Sequence, residues 1–218
     1  MLHLAFDTTA GACAVNLNSD GITVASVTRK MDFGQAEALF PLIAEVLADR
    51  KATELDLITV CTGPGSFTGV RSGLAAARTM AMASPQTALT GVSAFEAYVE
   101  DLEPDELAEL NAVIIETKRE DFYFQCFDCR KHKICEPEAL GYEDIIDRLR
   151  HKKVTLIGDG VERFLNRPSG LSLHVIRMED AISVKSLARC GETKYQHKAT
   201  DYPKPLYLRA PDVCIKQS

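Results

Sequence analysis

Apolar residues along this 218-residue chain form two patterns, short runs typical of strands and three- and four-residue steps typical of helices. Leu2–Phe6 predicts a strand, and segment 11–28 predicts two more strands joined by a turn at Asn18–Gly21. Gly34–Arg50 carries apolar residues at helical spacing, and Leu57–Thr62 reads as a buried strand. The chain is therefore predicted to begin with a three-stranded meander, a helix and a further strand.

The later patterns predict two lobes, residues 1–100 and 101–218, separated by an acidic stretch that begins at Asp101. Ser93 is placed to cap a helix, with Glu96 at the capping-box position. Segment 200–213 contains three prolines and is predicted to be extended. The remaining predicted elements are helix Phe67–Ser84, strand Thr87–Val92, helix Ala94–Glu100, strands Ala112–Glu116, Phe122–Asp128 and Lys131–Glu136, helix Tyr142–Leu149, strand Val154–Ile157 and helix Val184–His197.

The segment GPGSFTGVR, residues 63–71, places three glycines and a proline between a predicted strand and a predicted helix. Such a loop before a helix can cradle phosphate, because backbone amides and the helix N-terminus both favour anions. The segment lacks the Walker lysine, however, and is one residue too long for GxGxxG. The small residues Gly69, Gly73 and Ala77 share one helical stripe, so we favour a helix that packs closely against another backbone.

The two helices on either side of the fourth strand carry more apolar residues than one buried face requires. Two explanations remain open, contact with another subunit and deep burial within the lobe. Under the first, we predict a partner interface, and a charge introduced at Gly73 or Ala77 is expected to abolish it. The predicted interface residues are Ala36, Leu39, Phe40, Ile43, Phe67, Val70, Gly73, Leu74 and Ala77.

Composition restricts the function classes. The chain is 46% hydrophobic, and 25 basic residues stand against 31 acidic ones, for a net charge of −6. A protein that binds nucleic acid directly must neutralise phosphates, so an RNA-binding module is disfavoured and any role with tRNA is expected through a partner. No apolar run reaches the length of a membrane helix and no secretion signal is visible, so a cytoplasmic protein without membrane association is expected.

Metal-binding and catalytic patterns are weak. The chain has seven cysteines, expected to be reduced, and Cys126, Cys129, His132 and Cys135 are all of residue types that bind zinc. Strand alternation would not make these four side chains converge, so we predict no metal site. The five histidines include no pair at i and i+4, and no nucleophile–base set is recognisable. No catalytic residue is therefore predicted.

Several segments resemble the bacterial TsaB (YeaZ) family in the family's own order. They include FDTTAGACAVNL, QAEALFPLIAEVL, VIIETKREDFYFQCFD and above all the block around GPGSFTGVR. The resemblance runs through most of the chain. It implies an α/β fold of the actin, sugar-kinase and Hsp70-like (ASKHA) class, with two lobes of mixed sheets flanked by helices.

The resemblance also implies a function. Members of this family are non-catalytic partners of TsaD, which transfers a threonylcarbamoyl group to adenosine 37 of tRNA, and the ATPase TsaE joins the pair. The family's heterodimer is a four-helix bundle built from the first two helices of each subunit, and the same surface supports a homodimer when TsaB is alone. This chain has Gln35–Glu37 where the family often has a histidine before the glutamate.

Asp7, Thr8 and Thr9 lie where the ASKHA class places its first phosphate loop. No second loop of the DxGxGT kind is apparent, since GDG at Gly158–Gly160 is only a fragment. We therefore expect no cofactor of the chain's own and at most weak, vestigial nucleotide binding. The alternative is an active ATP-dependent enzyme of the same fold, similar to a small-molecule kinase.

Overall fold

The computed structural model describes residues 1–200 and 202–209, which form two five-stranded mixed sheets. The first sheet has the strand order β3-β2-β1-β4-β5. Its first three strands form the predicted antiparallel meander, and β4 and β5 continue the sheet in parallel from β1. The strands are β1 Leu2–Asp7, β2 Ala12–Ser19, β3 Ile22–Lys30, β4 Leu57–Cys61 and β5 Ala88–Val92.

The second sheet repeats the topology of the first. Its order is β10-β9-β6-β7-β8, in which β6–β8 form an antiparallel meander and β9 and β10 run parallel to β6. The two central strands, β1 and β6, therefore occupy equivalent positions. The strands are β6 Leu110–Glu116, β7 Phe122–Phe127, β8 Glu138–Leu140, β9 Lys153–Gly158 and β10 Ser172–Met178. The predicted class of mixed sheets flanked by helices is confirmed.

Six α-helices flank the sheets in the described residues, and two of them cover one face of the first sheet. Alternation along β1 divides that sheet, because Leu4 and Phe6 pack under α1 and α2 whereas Ala5 faces α3 and α6. The two faces of this sheet therefore belong to separate hydrophobic clusters. The helices are α1 Gln35–Leu47, α2 Phe67–Ala83, α3 Ala94–Glu100, α4 Tyr142–Leu149, α5 Val161–Leu165 and α6 Val184–Gln196.

Helix α6 follows the second sheet in sequence but packs on the first. Gly191 allows this contact, since a Cβ there would lie 2.0 Å from the Thr59 hydroxyl oxygen. Arg177 of β10 also forms ion pairs with Asp101 and Glu106 in the segment that joins the sheets. The predicted lobe boundary at residue 100 stays a prediction.

One predicted strand is wrong. Lys131–Glu136 forms only an isolated bridge, from Lys133 to Phe127, because the chain turns at Asp128 and Lys131 adopts a positive φ of 64°. The third strand of that meander is instead β8. Helix α5 and strand β10 were not predicted. In the predicted extended tail, residues 202–209 form neither helix nor strand, and residues 201 and 210–213 lie outside the described residues.

The predicted N-cap of α3 is confirmed and extends into a charge cluster. The hydroxyl of Ser93 accepts a hydrogen bond from the Glu96 amide, and the Glu96 carboxylate accepts one from the Ser93 amide. Lys194 of α6 and Lys133 both lie within 3.2 Å of the same carboxylate. Glu96 therefore ties α3 to α6 and to the turn after β7.

Stability is expected to fall in acid because of Glu96. Burial alone would raise the pKa of this carboxyl, but Lys194, Lys133 and Ser93 outweigh burial and lower the pKa from 4.5 to about 2. A depressed folded-state pKa stabilises the protein above pH 4.5, and that contribution disappears as the pH falls toward 2. Glu96→Gln should therefore lower the free energy of unfolding by roughly 3 kcal/mol at pH 7. Urea unfolding of the variant should also show a smaller loss of stability between pH 4.5 and pH 2 than the wild type.

Glu109→Gln is the control, because Glu109 is an exposed carboxylate. It should change the unfolding free energy by less than about 0.5 kcal/mol at any pH. If Glu96→Gln lost as much stability in acid as the wild type, Glu96 would not be the source of the pH dependence.

Candidate functional site

The glycine-rich segment packs the start of α2 against the turn between β1 and β2. The Ser66 amide donates to the Thr9 carbonyl at 2.7 Å, and the Thr8 hydroxyl donates to the Gly69 carbonyl at 2.7 Å. A Cβ on Gly65 would lie 2.3 Å from the Thr9 carbonyl oxygen, and one on Gly69 would lie 1.9 Å from that of Thr8. The glycines therefore permit a close backbone approach. This agrees with the interpretation that the segment begins a closely packed helix, in preference to a phosphate cradle.

The predicted phosphate-loop residues Asp7, Thr8 and Thr9 form one buried turn. The Thr9 amide donates to the Asp7 carboxylate at 2.9 Å, and the Thr9 hydroxyl pairs with the Cys61 sulfur at 3.6 Å. Burial raises the pKa of Asp7. Both threonine hydroxyls are thus engaged within the lobe.

A cleft of about 220 Å³ separates this turn from the second sheet. Asp159, from the GDG turn, lines it and accepts a hydrogen bond from the Glu116 amide at 2.9 Å. Burial, with smaller contributions from Glu116 and Asp7, raises the pKa of Asp159 to about 7. The acidic residues that line the cleft are Asp32, which follows β3, together with Glu116 and Asp159 from the second sheet.

Sequence reasoning missed the second-sheet counterpart of Asp7–Thr8. Glu116 ends β6 as Asp7 ends β1, and Thr117 follows it as Thr8 follows Asp7. The signal was an acidic residue and a threonine after the first strand of each half. In the structure the Glu116 carboxylate pairs with Arg163 at 2.6 Å, and the Thr117 hydroxyl donates to the Asp121 carbonyl.

The structure corrects most of the predicted interface residues. Six of the nine face the first sheet and are buried in their own lobe, because the broadest apolar stripe of each helix covers β1, β2 and β4. A charge at Gly73 or Ala77 would enter this core and disrupt folding rather than test a partner contact. The six buried residues are Leu39, Ile43, Val70, Gly73, Leu74 and Ala77.

The other three predicted residues are exposed. Ala36 and Phe40 lie on the outer side of α1, and Phe40 is 53% exposed. Phe67 begins α2, is 43% exposed and stacks on Tyr207 with ring centroids 5.4 Å apart. The tail therefore covers part of Phe67, whereas Phe40 lacks such cover among the described residues.

Exposed small and apolar residues on α1 and α2 form what we call the outer face. Two of the charged residues beside it form contacts elsewhere in the protein. Glu45 lies 4.0 Å from Arg29 of β3, and Arg78 donates to the Pro203 carbonyl and stacks over Tyr202. The outer face comprises Ala36, Phe40, Pro41 and Ala44 of α1 and Thr68, Ser72, Ala75, Thr79 and Met82 of α2.

Helix α4 shows how unusual this composition is for a solvent-facing helix. Every exposed residue of α4 is charged, namely Glu143, Asp144, Asp147 and Arg148. On α1 and α2 the exposed charged residues are Glu37, Glu45 and Arg71, whereas the other exposed positions are mostly small or apolar, and the alanines allow a second helix to approach closely. Such a surface suits helix-on-helix packing, in which side chains of one helix fill grooves of another.

Cys126, Cys129, His132 and Cys135, whose residue types can bind zinc, do not converge on one point in the structure. Cys129 is exposed, whereas Cys126 is buried, and the His132 ring lies 3.4 Å from the Asp128 carboxylate. Among the residues the structure describes, no three His, Cys, Asp or Glu side chains are arranged to hold a metal ion. In the same residues, no helix is both long and apolar enough to cross a bilayer.

Comparison with known proteins identifies relatives along nearly the whole chain. A TsaB protein from Haemophilus influenzae, named for tRNA threonylcarbamoyladenosine biosynthesis, is 27% identical over 94% of this chain and 92% of its own length. A Pseudomonas aeruginosa YeaZ structure superposes with a TM-score of 0.80 at 20% identity, covering 95% of this chain and 99% of that one. Over nearly its whole length the chain is therefore similar to TsaB (YeaZ) proteins.

Further matches agree with this similarity. A TsaB protein from Escherichia coli is 33% identical over 43% of this chain and 40% of its own length. A second Pseudomonas aeruginosa structure, described as similar to peptidase YeaZ, has a TM-score of 0.81 at 21% identity, covering 95% of this chain and 99% of that one. Residues 34–131 match the family model for TsaD, a tRNA N6-adenosine threonylcarbamoyltransferase.

Proposed function

We propose that this TsaB-like chain is a non-catalytic subunit that binds TsaD through its outer face and supports threonylcarbamoylation of adenosine 37 in tRNA. The observation that carries the proposal is the set of exposed apolar and small residues on the outer face of α1 and α2, with Phe40 53% and Met82 80% exposed. Such a helix pair can bury its surface against two helices of a partner in a four-helix arrangement. The role in this pathway follows from the TsaB relatives, which are named for it.

The TsaD match supports the choice of partner. The matched segment, residues 34–131, includes all of α1 and α2. Two proteins that share this helix pair can associate through it in a pseudo-twofold arrangement, as a twofold dimer uses one patch on both subunits. The same geometry lets the chain form a homodimer when TsaD is absent. TsaE and tRNA would then join the heterodimer rather than the lone subunit.

The cleft supports a non-catalytic role. The Thr8 and Thr117 hydroxyls donate their hydrogens within the protein, and Asp32, Glu116 and Asp159 line the cleft. A nucleoside triphosphate brings several negative charges, which the Glu116 carboxylate and the ionised fraction of Asp159 oppose. The chain therefore has no cofactor of its own and binds nucleotide only weakly.

Pairing is tested by light scattering on the chain alone, on TsaD from the same organism and on their mixture. We expect a homodimer for the chain alone and a one-to-one heterodimer in the mixture. Threonylcarbamoyl transfer to tRNA should require the mixture with TsaE and the remaining components. Failure to form a heterodimer, with both proteins folded by circular dichroism, would reject the proposal.

The rival function is tested by titrating the isolated chain with ATP and Mg²⁺ in a calorimeter. We expect no saturation in the micromolar range and no phosphate release, because the cleft opposes polyphosphate. Micromolar binding with turnover in the absence of partners would instead favour an ATP-dependent enzyme.

A further inference from the structure

Two cysteines far from the outer face lie side by side on the second sheet. Cys126 is near the end of β7, and Cys135 lies on the segment that returns beside it after the turn at Asp128. The Cys126 amide donates a hydrogen bond to the Cys135 sulfur at 3.3 Å, and the Ile134 amide donates to the Cys126 carbonyl at 2.9 Å. The backbone pairing therefore holds the two thiols together.

The environments of the two thiols differ. Cys126 is 5% exposed, whereas Cys135 is partly open to solvent. The Cys126 thiol hydrogen bond, assisted by the Cys126 amide and by Arg148, outweighs burial and lowers the pKa of Cys135 to about 6. The same contact and burial raise the pKa of Cys126. Cys135 is thus the more accessible and the more readily ionised sulfur, and Cys126 is the protected thiol beside it.

We propose that Cys126 and Cys135 form a reversible intrachain disulfide when the protein meets a hydroperoxide. Accessibility and the hydrogen-bonded contact give Cys135 the role of the peroxide-reactive sulfur and Cys126 that of the resolving sulfur. The disulfide would join β7 to its return segment and leave α1 and α2 untouched.

The reaction balances in two steps. The Cys135 thiolate attacks one oxygen of hydrogen peroxide, the O–O bond breaks, and the departing hydroxide takes a proton to become water, leaving Cys135 as the sulfenic acid. The Cys126 sulfur then attacks the Cys135 sulfur, the S–O bond breaks, and hydroxide leaves with the Cys126 proton as a second water. The thiol pair loses two electrons, which reduce the peroxide.

The other described cysteines lack this arrangement. Cys129 is exposed at the turn, and burial raises the pKa of Cys61 and, to about 11, that of Cys13. Burial also raises the pKa of Cys190 to about 12. A raised thiol pKa slows reaction with peroxide, since the thiolate is the nucleophile.

The test treats the folded, reduced full-length chain with hydrogen peroxide, blocks free thiols with N-ethylmaleimide and maps the peptides by mass spectrometry without reduction. We expect a peptide pair joined through Cys126 and Cys135 that dithiothreitol separates again. In the Cys126→Ala variant, Cys135 should remain as a sulfenic acid that dimedone traps. Cys129→Ser is the matched control and should form the same disulfide to the same extent.

Three results would overturn the proposal. The first is both thiols remaining fully alkylated by N-ethylmaleimide after peroxide treatment that oxidises free cysteine. The second is Cys135 linked to Cys129, and the third is Cys135 oxidised to the sulfinic acid with Cys126 still a thiol.

Alkylation of the native protein by iodoacetamide gives an independent check. Labelling of Cys135 should be half-maximal near pH 6, and a midpoint above pH 8 would contradict its assigned role.

Discussion

Phe40→Glu is expected to weaken pairing with TsaD strongly while the chain stays folded. Phe40 is the largest side chain at the centre of the α1 half of the outer face and is 53% exposed, so a glutamate is readily solvated in the free subunit. In a heterodimer that buries this position, the loss of the aromatic ring and the burial of a charge should each weaken binding. We expect a loss of at least about 2 kcal/mol, or about 30-fold in Kd.

The matched control is Ile134→Glu, because Ile134 is 51% exposed and lies on the second sheet's turn, away from α1 and α2. Both variants should have wild-type circular dichroism and thermal unfolding. Isothermal titration with TsaD should then separate them, with Ile134→Glu binding like wild type. Equal affinity of Phe40→Glu and wild type would remove the outer face from the proposed interface. Ala75→Glu tests the α2 half in the same way.

Gly69→Ala is expected to have the largest effect on stability. The new Cβ would lie 1.9 Å from the Thr8 carbonyl oxygen, which is backbone and cannot rotate away. Either the start of α2 or the β1–β2 turn must shift, and the hydrogen bond from the Thr8 hydroxyl to the Gly69 carbonyl would be lost. We expect a loss of about 3 kcal/mol or more in unfolding free energy, measured by urea titration.

Gly11→Ala is the control for this substitution. Gly11 lies near the same turn, but a Cβ there would meet no atom within 4 Å. Its unfolding free energy should change by less than about 0.5 kcal/mol. A Gly69→Ala variant as stable as Gly11→Ala would mean that the glycine-rich segment does not serve close packing. The phosphate-cradle interpretation would then have to be reconsidered.

The two predictions separate two roles of one helix pair. The inner residues of α1 and α2 stabilise the first lobe, so substitutions there alter folding and reveal little about a partner. The outer residues contribute little to the core, so substitutions there alter association. Gly73 and Ala77, predicted from the sequence as interface positions, are both buried. A charge at either position would unfold the lobe, and the resulting loss of pairing would say nothing about the interface.

Local patterns in the sequence predicted many of the elements correctly. Helix Tyr142–Leu149 was predicted at its observed bounds, and the capping box at Ser93 and Glu96 formed as expected. Each depends on side chains within a few residues, such as alternating apolar positions or a cap that bonds to the third residue. The strand predicted at Lys131–Glu136 does not form, because its pairing with β7 stops after one bridge. Strand pairing depends on the neighbouring strand and not on the local pattern.

What the sequence by itself determined was local: strands and helices, the α3 cap, and the presence of excess apolar surface on two helices. Only the tertiary structure decided which arc of each helix covers the sheet and which faces solvent. It also revealed the repeated topology of the two sheets and brought Cys126 beside Cys135. The physical reason is that periodicity reports where apolar side chains lie around one element, whereas burial depends on how separate elements pack.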